Sequence, residues 1–267
     1  MDRWRGRIAL VTGASAGIGA AIASALVEAG LKVVGCGKDV ERIQDLAVEL
    51  KENVGALFGG SLLPLRCDVS KEDNILTMFE TIKEMYGGVD ICVNCAGFSH
   101  TDASLLEGNT QIWREMLEVN VLAYSIVARE AIKSMRIRGV RDGHLVYINS
   151  SDAHYTPRDP LWHFYSSTKA AIKCQVEGMR SHLRQLKIDN IRITAISPGL
   201  VKSVDDDDEV DNDDNPNHDH GLLECSDVSD AVVYALGTPS HVQVYDLILA
   251  GRNEDSFKNG DTDDSKA

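Results

Sequence analysis

The sequence predicts an α/β fold, a single doubly wound domain with a seven-stranded, mainly parallel sheet and helices on both faces. Three observations predict it. Short apolar runs alternate with segments of three- and four-residue apolar spacing along the whole chain. Each strand and the helix after it fill a few tens of residues, as in right-handed βαβ crossovers. The 267 residues are 43% hydrophobic and 25% charged, which is typical of a globular domain.

The predicted strands are apolar runs bounded by glycines or polar residues, at 8–12, 31–36, 63–67, 91–94, 143–149, 191–196 and 242–249. The predicted helices carry apolar residues at helical spacing, at 18–29, 40–51, 71–86, 110–137, about 163–187 and about 228–236. In the first helix Ile18, Ile22 and Ala25 share one face, and Gly30 ends the segment. No linker divides the chain, so we expect one domain over 1–251 and a polar tail over 252–267.

The net charge of −14 is largely local. Residues 205–220 hold nine acids and no Lys or Arg, and subtracting those nine leaves −5 for the rest. A nucleic-acid partner would require a basic surface, so none is expected. No run approaches the about 20 apolar residues that span a bilayer, and no secretory signal precedes the first strand. Six scattered cysteines suit a reducing compartment, so we expect a cytoplasmic protein without a membrane partner.

A glycine-rich turn joins the first strand to its helix, with the sequence Gly13-Ala14-Ser15-Ala16-Gly17-Ile18-Gly19. Glycines there let the backbone turn sharply and approach a pyrophosphate, and the helix N-terminus directs unpaired N–H groups at it. The alternative is a glycine-rich turn without a ligand. The strand before and the amphipathic helix after it favour a dinucleotide site of the Rossmann type.

The end of the second strand indicates which nucleotide. A site for NAD usually has an acid about 20 residues beyond the glycine motif, on the ribose hydroxyl. Here the strand closes with Gly35-Cys36-Gly37-Lys38, so an ammonium stands where a 2′-phosphate could be bound. The neighbouring Asp39 weakens this argument, and Lys38 could be a solvated surface charge. We expect NADP(H).

Tyr165 and Lys169 are four residues apart on a predicted helix and therefore share one face. A free tyrosine has a pKa of about 10, which suits proton transfer poorly near neutral pH. A cation within about 4–6 Å can lower the pKa of an acid by about 1–3 units. By itself, the pair is common on helix surfaces.

Together the motifs are specific as an ordered set: Thr12-Gly13-x-x-x-Gly17-x-Gly19, Asp68, Asn94-Cys95-Ala96-Gly97, Asn120, Ser150, Tyr165-x-x-x-Lys169 and Pro198-Gly199. Over about residues 5–250 this set resembles the short-chain dehydrogenase/reductase family. The resemblance departs at Cys95, where the family usually has a second Asn. It implies an oxidoreductase that uses a nicotinamide cofactor.

The resemblance implies a role for each catalytic candidate. Tyr165 would be the general acid/base that protonates the carbonyl oxygen during reduction, and Lys169 would bind the nicotinamide ribose and lower the tyrosine pKa. Ser150 would hydrogen-bond the same substrate oxygen; Ser151 is a competing assignment, because Ser150 lies slightly farther from the tyrosine than is common. Asn120 would hold a water that extends the proton relay.

The expected cofactor-binding residues are Gly13, Ser15, Ala16, Gly17, Ile18, Gly19, Lys38, Asp68, Val69, Asn94, Ala96, Gly97, Tyr165, Lys169, Pro198, Gly199 and Val201. Among them Asp68 would contact the adenine, and Pro198-Gly199 would shape the nicotinamide pocket.

Finer similarity is visible in Arg3-Trp4-Arg5, in 31–36, in Arg66-Cys67-Asp68, in 89–92 and in 163–166. These segments look like the group of dehydrogenase/reductase family member eleven, which includes insect farnesol dehydrogenases and vertebrate ketosteroid or carbonyl reductases. The similarity implies a lipophilic alcohol or carbonyl substrate. It also implies a homodimer or homotetramer formed through the two long helices.

The sequence departs from the family at 202–220, where an apolar substrate flap is usual and an acidic, Asn-rich stretch stands instead. We expect a flexible loop there. A calcium loop starting at Asp211 fails, because position six is Pro216 and position twelve is Leu222. His218 and His220 lack further ligands, and Cys92-x-x-Cys95 lacks a second pair, so no metal site is expected. The lost flap leaves open a second function, a reductase-like protein that binds NADP(H) without turnover; nothing favours an epimerase or lyase.

Overall fold

A computed structural model describes residues 1–53, 59–202 and 222–252 of the chain. In this part of the chain seven strands form one sheet in the order β3-β2-β1-β4-β5-β6-β7, and every neighbouring pair is parallel. The strands are β1 Ile8–Thr12, β2 Lys32–Gly37, β3 Ser61–Arg66, β4 Ile91–Asn94, β5 Gly143–Ile148, β6 Ile191–Pro198 and β7 Asp246–Leu249. The predicted doubly wound α/β class is confirmed, and the described sheet is wholly parallel.

The helices of the described ranges are α1 Gly17–Glu28, α2 Val40–Asn53, α3 Glu72–Tyr86, α4 Thr110–Leu117, α5 Ala123–Ile137, α6 His163–Gln185 and α7 Cys225–Gly237. The single helix predicted over 110–137 is α4 and α5 joined by one wide π-helical turn, Glu118–Leu122. Two short 3-10 turns, Ser151–Ala153 and Pro160–Trp162, precede α6.

The last strand is shorter than the predicted 242–249. Ahead of β7, the Gln243 side-chain amide makes the contacts that a strand backbone would otherwise make. Its Oε1 accepts from Ile193 N at 3.2 Å, and its Nε2 donates to Ile193 O at 2.6 Å. Because a side chain occupies the hydrogen-bonding edge of β6 there, the ladder begins only at Asp246.

The core lies on both faces of the sheet. One face packs against α3, α5 and α6 through buried residues such as Phe79, Tyr124 and Ile172. The other packs against α1, α2 and α7 through Ile22, Val232 and their neighbours. Burial on both faces explains why the strands read as continuous apolar runs rather than as alternating ones.

The strand order reverses between β1 and β4, which both continue into loops at the carboxyl edge of the sheet. In open α/β sheets, ligands bind in the crevice at this switch point. The topology therefore directs the glycine turn after β1 and the Asn94–Gly97 turn after β4 into one crevice.

In the described residues, no helix is both long enough and apolar enough to cross a membrane. Of the loop expected at 202–220, residues 203–220 lie outside the described residues, and with them the start of the calcium alternative and both histidines.

Candidate active site

The glycine turn is packed against itself and against the turn after β4. A Cβ on Gly19 would collide with the carbonyl oxygen of Gly13, and one on Gly13 would lie 2.8 Å from Ala96 Cα. Gly13 and Gly17 also have positive φ angles of 73° and 53°, which disfavour side chains. These glycines are therefore required by the backbone itself, whatever binds there.

The N-terminus of α1 is open to a ligand. The helix begins at Gly17 after Ala16, which offers no side-chain cap, and its first turn contains no acid. A Cβ on Gly17 would meet nothing within 4 Å. Uncapped amides at the positive end of a helix bind anions, so this cradle fits a pyrophosphate.

Thr12 holds the two neighbouring strand ends together. Its fully buried Oγ1 accepts hydrogen bonds from Cys95 N and Ala96 N, both at 3.0 Å, and donates to Asn94 Oδ1 at 3.4 Å. The Asn94 amide in turn donates to the Tyr124 carbonyl at 3.0 Å. The predicted cofactor residue Asn94 is thus engaged through both side-chain polar atoms in fixing the wall of the crevice.

The end of β2 carries the charged residues on which the prediction of NADP(H) rests. Lys38 is exposed. The Asp39 carboxylate accepts from Arg42 N at 3.3 Å and pairs with Arg42 Nε at 3.5 Å, so it caps α2. Arg66, at the end of β3, donates to Lys38 O at 2.9 Å and to Glu41 at 2.7 Å. Asp39, which weakened the argument for NADP(H), is therefore partly neutralised by its own helix.

Asp68 follows β3 and orders the turn into α3. Its Oδ1 accepts from Ser70 N at 3.0 Å and from Ser70 Oγ at 2.8 Å, and its N–H donates to Asn74 Oδ1 at 3.3 Å. Asp68 and the adjacent Val69 are half-buried. They lie one strand beyond β2, on the same side of the switch point as Lys38.

Tyr165 and Lys169 lie in the first two turns of α6, above the carboxyl end of β5. The Lys169 side chain is almost fully buried, and its Nζ donates to Ile148 O at 3.3 Å. This Nζ lies 5.5 Å from the centre of the Tyr165 ring and 5.7 Å from that of Tyr124. Burial lowers the pKa of Lys169 to about 8, so the amine can both hold and release a proton near neutral pH.

The pKa of Tyr165 is raised, in contrast to the lowering expected from Lys169. Burial is the largest cause, since a phenolate loses its hydration, and the Asp152 carboxylate raises the pKa further. A side-chain hydrogen bond with Ser150 acts in the opposite direction. In this environment the Tyr165 hydroxyl holds its proton, and Ser150 is the neighbour that favours the ionised form.

Ser150 and Ser151 differ clearly in their surroundings. Ser150 caps the 3-10 turn, with its Oγ accepting from Asp152 N at 3.1 Å, and it also hydrogen-bonds with Tyr165. Ser151 is buried, and its carbonyl accepts from His154 N at 2.8 Å. Of the two candidates, the Ser150 hydroxyl is the one in contact with the Tyr165 side chain.

Asn120 lies in the π-helical turn and is fully buried. Its Oδ1 accepts from Phe98 N and its Nδ2 donates to Phe98 O, both at 2.8 Å, while Nδ2 also donates to Thr168 Oγ1 at 3.0 Å. Thr168 Oγ1 donates to the Tyr165 carbonyl at 2.7 Å. Asn120 is therefore linked to the Tyr165 backbone through the Thr168 hydroxyl. The water relay through Asn120 stays a prediction.

The far wall of the crevice comes from the end of β6. Pro198 closes the strand, and Gly199 N donates to Leu249 O at 2.7 Å. Val201 forms an isolated parallel bridge with Leu223. Pro198, Gly199 and Val201, the predicted nicotinamide-side residues, thus lie at and just beyond the carboxyl end of β6.

These loops bring together the glycine turn, the Asn94–Gly97 turn, Ser150, the α6 pair and the end of β6, in the order that the motifs predicted. The sequence model of the family described as "short chain dehydrogenase" matches residues 7–214 of the chain. The chain belongs to that family.

Curated relatives of this dehydrogenase span nearly its whole length. It is 49% identical over 254 residues to dehydrogenase/reductase SDR family member 11 of Bos taurus, covering 92% of this chain and 96% of the relative. It is 41% identical over 249 residues to farnesol dehydrogenase of Aedes aegypti, covering 93% and 97%. Among solved structures, an alcohol dehydrogenase from Thermococcus sibiricus complexed with 5-hydroxy-NADP has a TM-score of 0.78 at 26% identity, covering 94% and 98%. The predicted group within the family is confirmed.

Sequence reasoning missed two features of this dehydrogenase site. The Asp152 carboxylate raises the pKa of both Tyr165 and Lys169. Its position two residues after Ser150 could have indicated that it lies near the site. Trp162 packs edge-on against the Tyr165 ring at 5.9 Å. The aromatic run before the tyrosine, which includes Phe164 stacked on Trp113 at 5.1 Å, could have indicated it.

The cysteines near the site behave as core thiols. Cys92 is buried in β4, and burial raises the pKa of both Cys92 and Cys95 to about 12. Such thiols are unreactive at neutral pH. Within the described ranges, no group of three or more His, Cys, Asp or Glu side chains is placed to hold a metal ion.

Proposed function

We propose that this dehydrogenase is an NADP(H)-dependent oxidoreductase that interconverts a lipophilic alcohol and its aldehyde or ketone, with Tyr165 as the general acid/base. The observation that carries the proposal is the contact set at Tyr165. Its side chain is hydrogen-bonded by Ser150 and lies over Lys169, beside the crevice at the switch point. A proton donor, an oxygen-binding hydroxyl and a buried amine meet there.

The residues fit a dinucleotide phosphate. The uncapped N-terminus of α1 and the open space at Gly17 would take the pyrophosphate. Lys38 would hold the 2′-phosphate, supported by Arg66, which is anchored on the Lys38 carbonyl. The Thermococcus relative was solved with an NADP derivative, which agrees with this preference.

The bound nicotinamide would supply or accept the hydride at the substrate carbon. In reduction, Ser150 would donate a hydrogen bond to the carbonyl oxygen and stabilise the charge that develops on it. Tyr165 would then transfer its hydroxyl proton to that oxygen. Lys169, with a pKa of about 8, would stabilise the resulting tyrosinate and take part in returning the proton.

A lipophilic substrate agrees with the aromatic surroundings of the tyrosine. Trp162 packs on Tyr165, and Phe164 stacks on Trp113. Aromatic and apolar walls with a few placed polar groups are characteristic of small-molecule sites. The relative from Aedes aegypti is named a farnesol dehydrogenase, and this name supports a long-chain isoprenoid alcohol as a candidate substrate.

The test is a steady-state screen of the purified full chain with NADPH and NADH against farnesal, ketosteroids and diketones. We expect NADPH to be oxidised with at least one lipophilic carbonyl. Tyr165→Phe removes the transferred proton while keeping the ring, so turnover should fall by at least about 100-fold and NADPH binding should persist. Cofactor binding without turnover in either direction would refute this proposal and support the reductase-like binding protein.

A further inference from the structure

Four polar side chains meet beside the turn that carries Ser150, and none of them has a part in the mechanism above. His154 Nε2 lies 3.1 Å from Ser197 Oγ and 3.2 Å from Asp246 Oδ2. His154 Nδ1 lies 3.2 Å from Lys173 Nζ. Ser197 Oγ donates to Asp246 Oδ1 at 2.9 Å. We call these four residues the His154 cluster.

The cluster ties together the elements that form the substrate side of the crevice. His154 ends the 3-10 turn Ser151–Ala153 that begins at Ser150. Ser197 directly precedes Pro198 in β6, and Asp246 begins β7. Lys173 lies one helical turn beyond Lys169 on α6. The imidazole is therefore a cross-link between the serine turn, the catalytic helix and the sheet edge.

Only one proton arrangement satisfies every contact. An ammonium can donate but cannot accept, so the Lys173 contact requires His154 Nδ1 to be an unprotonated acceptor. The proton must then lie on Nε2, where it is donated towards the Asp246 carboxylate and Ser197. Because Ser197 is fully buried and gives its own proton to Asp246, the trio of Ser, His and Asp does not form a nucleophile.

The charged groups that face the imidazole are Lys173 from α6 and Asp246 from β7, with the Tyr155 ring 6.4 Å away centre to centre. Burial lowers the pKa of His154, Asp246 raises it, and Lys173 lowers it. A second proton would be placed on Nδ1, against the ammonium. Acidification below the usual histidine range therefore breaks the contact with α6.

We propose that His154 is a positioning residue: held as a neutral Nε2–H imidazole by Lys173, Asp246 and Ser197, it fixes the turn that carries Ser150 against β6, β7 and α6. The Ser150 hydroxyl is then presented to Tyr165 in one orientation. This inference rests on the proposed function, since it assigns a role in the turnover of the same site.

The test uses His154→Gln, which keeps hydrogen-bonding atoms but cannot titrate. The control is His182→Gln, at an exposed histidine on helix α6 outside the His154 cluster. With the best carbonyl of the panel, His154→Gln should lower kcat by about 10-fold to 100-fold, because a small misplacement of a reacting group has effects of this size. The KM for NADPH should stay within about twofold. His182→Gln should match the wild type.

A double mutant identifies the residue through which His154 acts. If it acts by orienting Ser150, then Ser150→Ala combined with His154→Gln should have the same kcat as Ser150→Ala alone. Because burial lowers the pKa of His154, we expect the kcat of wild type to fall only when the pH drops below the usual histidine range, and this loss should be absent from His154→Gln. Long-range ¹H–¹⁵N spectra of labelled wild-type protein should show His154 as the neutral Nε2–H tautomer at pH 7.

Additive losses in the double mutant, or an unchanged kcat and pH profile in His154→Gln, would overturn the positioning role, and so would an Nδ1–H tautomer. A fall in melting temperature with kcat retained would show a purely structural histidine. These outcomes are distinct from failure of the proposed function, in which the wild-type protein itself would turn over no carbonyl of the panel.

Discussion

Thr12 offers the sharpest test of how the crevice is built. Its hydroxyl accepts from two backbone N–H groups, those of Cys95 and Ala96, and donates to Asn94. Thr12→Val keeps the branched shape and removes the hydroxyl. The two N–H groups then lose their acceptor at a position that a methyl group blocks from water.

The expected loss of stability follows from those two groups. An unsatisfied buried donor costs about 1–3 kcal/mol, and Cys95 and Ala96 are half-buried, so we expect about 2–4 kcal/mol for the pair. In a domain of this size about 1 kcal/mol shifts the melting temperature by about 2–4 °C. Thr12→Val should therefore melt about 5–15 °C below wild type. Because the Ala96 backbone lies against Gly13, NADPH should also bind more weakly.

The assay is thermal unfolding by circular dichroism with and without NADPH, together with fluorescence titration of the cofactor. Thr12→Ser is the matched control, since it keeps the hydroxyl and loses only a methyl group. It should lie much closer to wild type than Thr12→Val. If both variants melt together, or if Thr12→Val melts with wild type, the hydroxyl does not hold the turn and the reasoning is wrong.

Two further predictions concern charge. Lys38→Glu should raise the KM for NADPH by at least about 10-fold, because an ion pair at about 4 Å near a protein surface is worth about 1–4 kcal/mol. The KM for NADH, which has no 2′-phosphate, should stay within about twofold. Equal changes of KM for both cofactors would contradict a contact between Lys38 and the 2′-phosphate. Lys169→Met should stabilise the protein at pH 7 by up to about 3 kcal/mol, because the pKa of Lys169 is lowered by burial from 10.5 to about 8. The unfolded chain binds the Lys169 proton more tightly than the folded protein, so the stability of wild type should rise from pH 8 to 10.5. Over the same range the stability difference between Lys169→Met and wild type should fade. Melting curves that show a constant or reversed difference would contradict this prediction.

Much of the fold could be predicted because its signals are local. Strands buried on both faces are continuous apolar runs, such as Ile91–Asn94, and the helices repeat their apolar residues at helical spacing. Where a signal was not local, the prediction missed. The last strand begins at Asp246 because the Gln243 side chain occupies the edge of β6, a contact between residues 50 positions apart in sequence.

The candidate site likewise has features that the local sequence predicted and features that depend on the tertiary structure. The motifs identified the catalytic candidates, because each follows a strand or lies on one helix face. The spacing of Tyr165 and Lys169 also predicted a lowered tyrosine pKa, whereas the fold raises it. Spacing reports that a cation is near, but it does not report how much water the fold removes from the phenol. That quantity depends on the packing of every neighbouring element.

By itself, the sequence determined the doubly wound fold and predicted the dinucleotide cradle and the proton-transfer pair, since these depend on local periodicity and on turns that favour glycine. Only the tertiary structure decided between Ser150 and Ser151 as the neighbour of Tyr165, showed Asp39 to be a helix cap, and assembled the His154 cluster. His154 and Asp246 are separated by more than ninety positions in the chain, yet they meet because β6 and β7 pair in parallel beside the turn after β5. Hydrogen bonds between such distant residues leave no periodic trace in a single sequence, because they are fixed by which strands become neighbours.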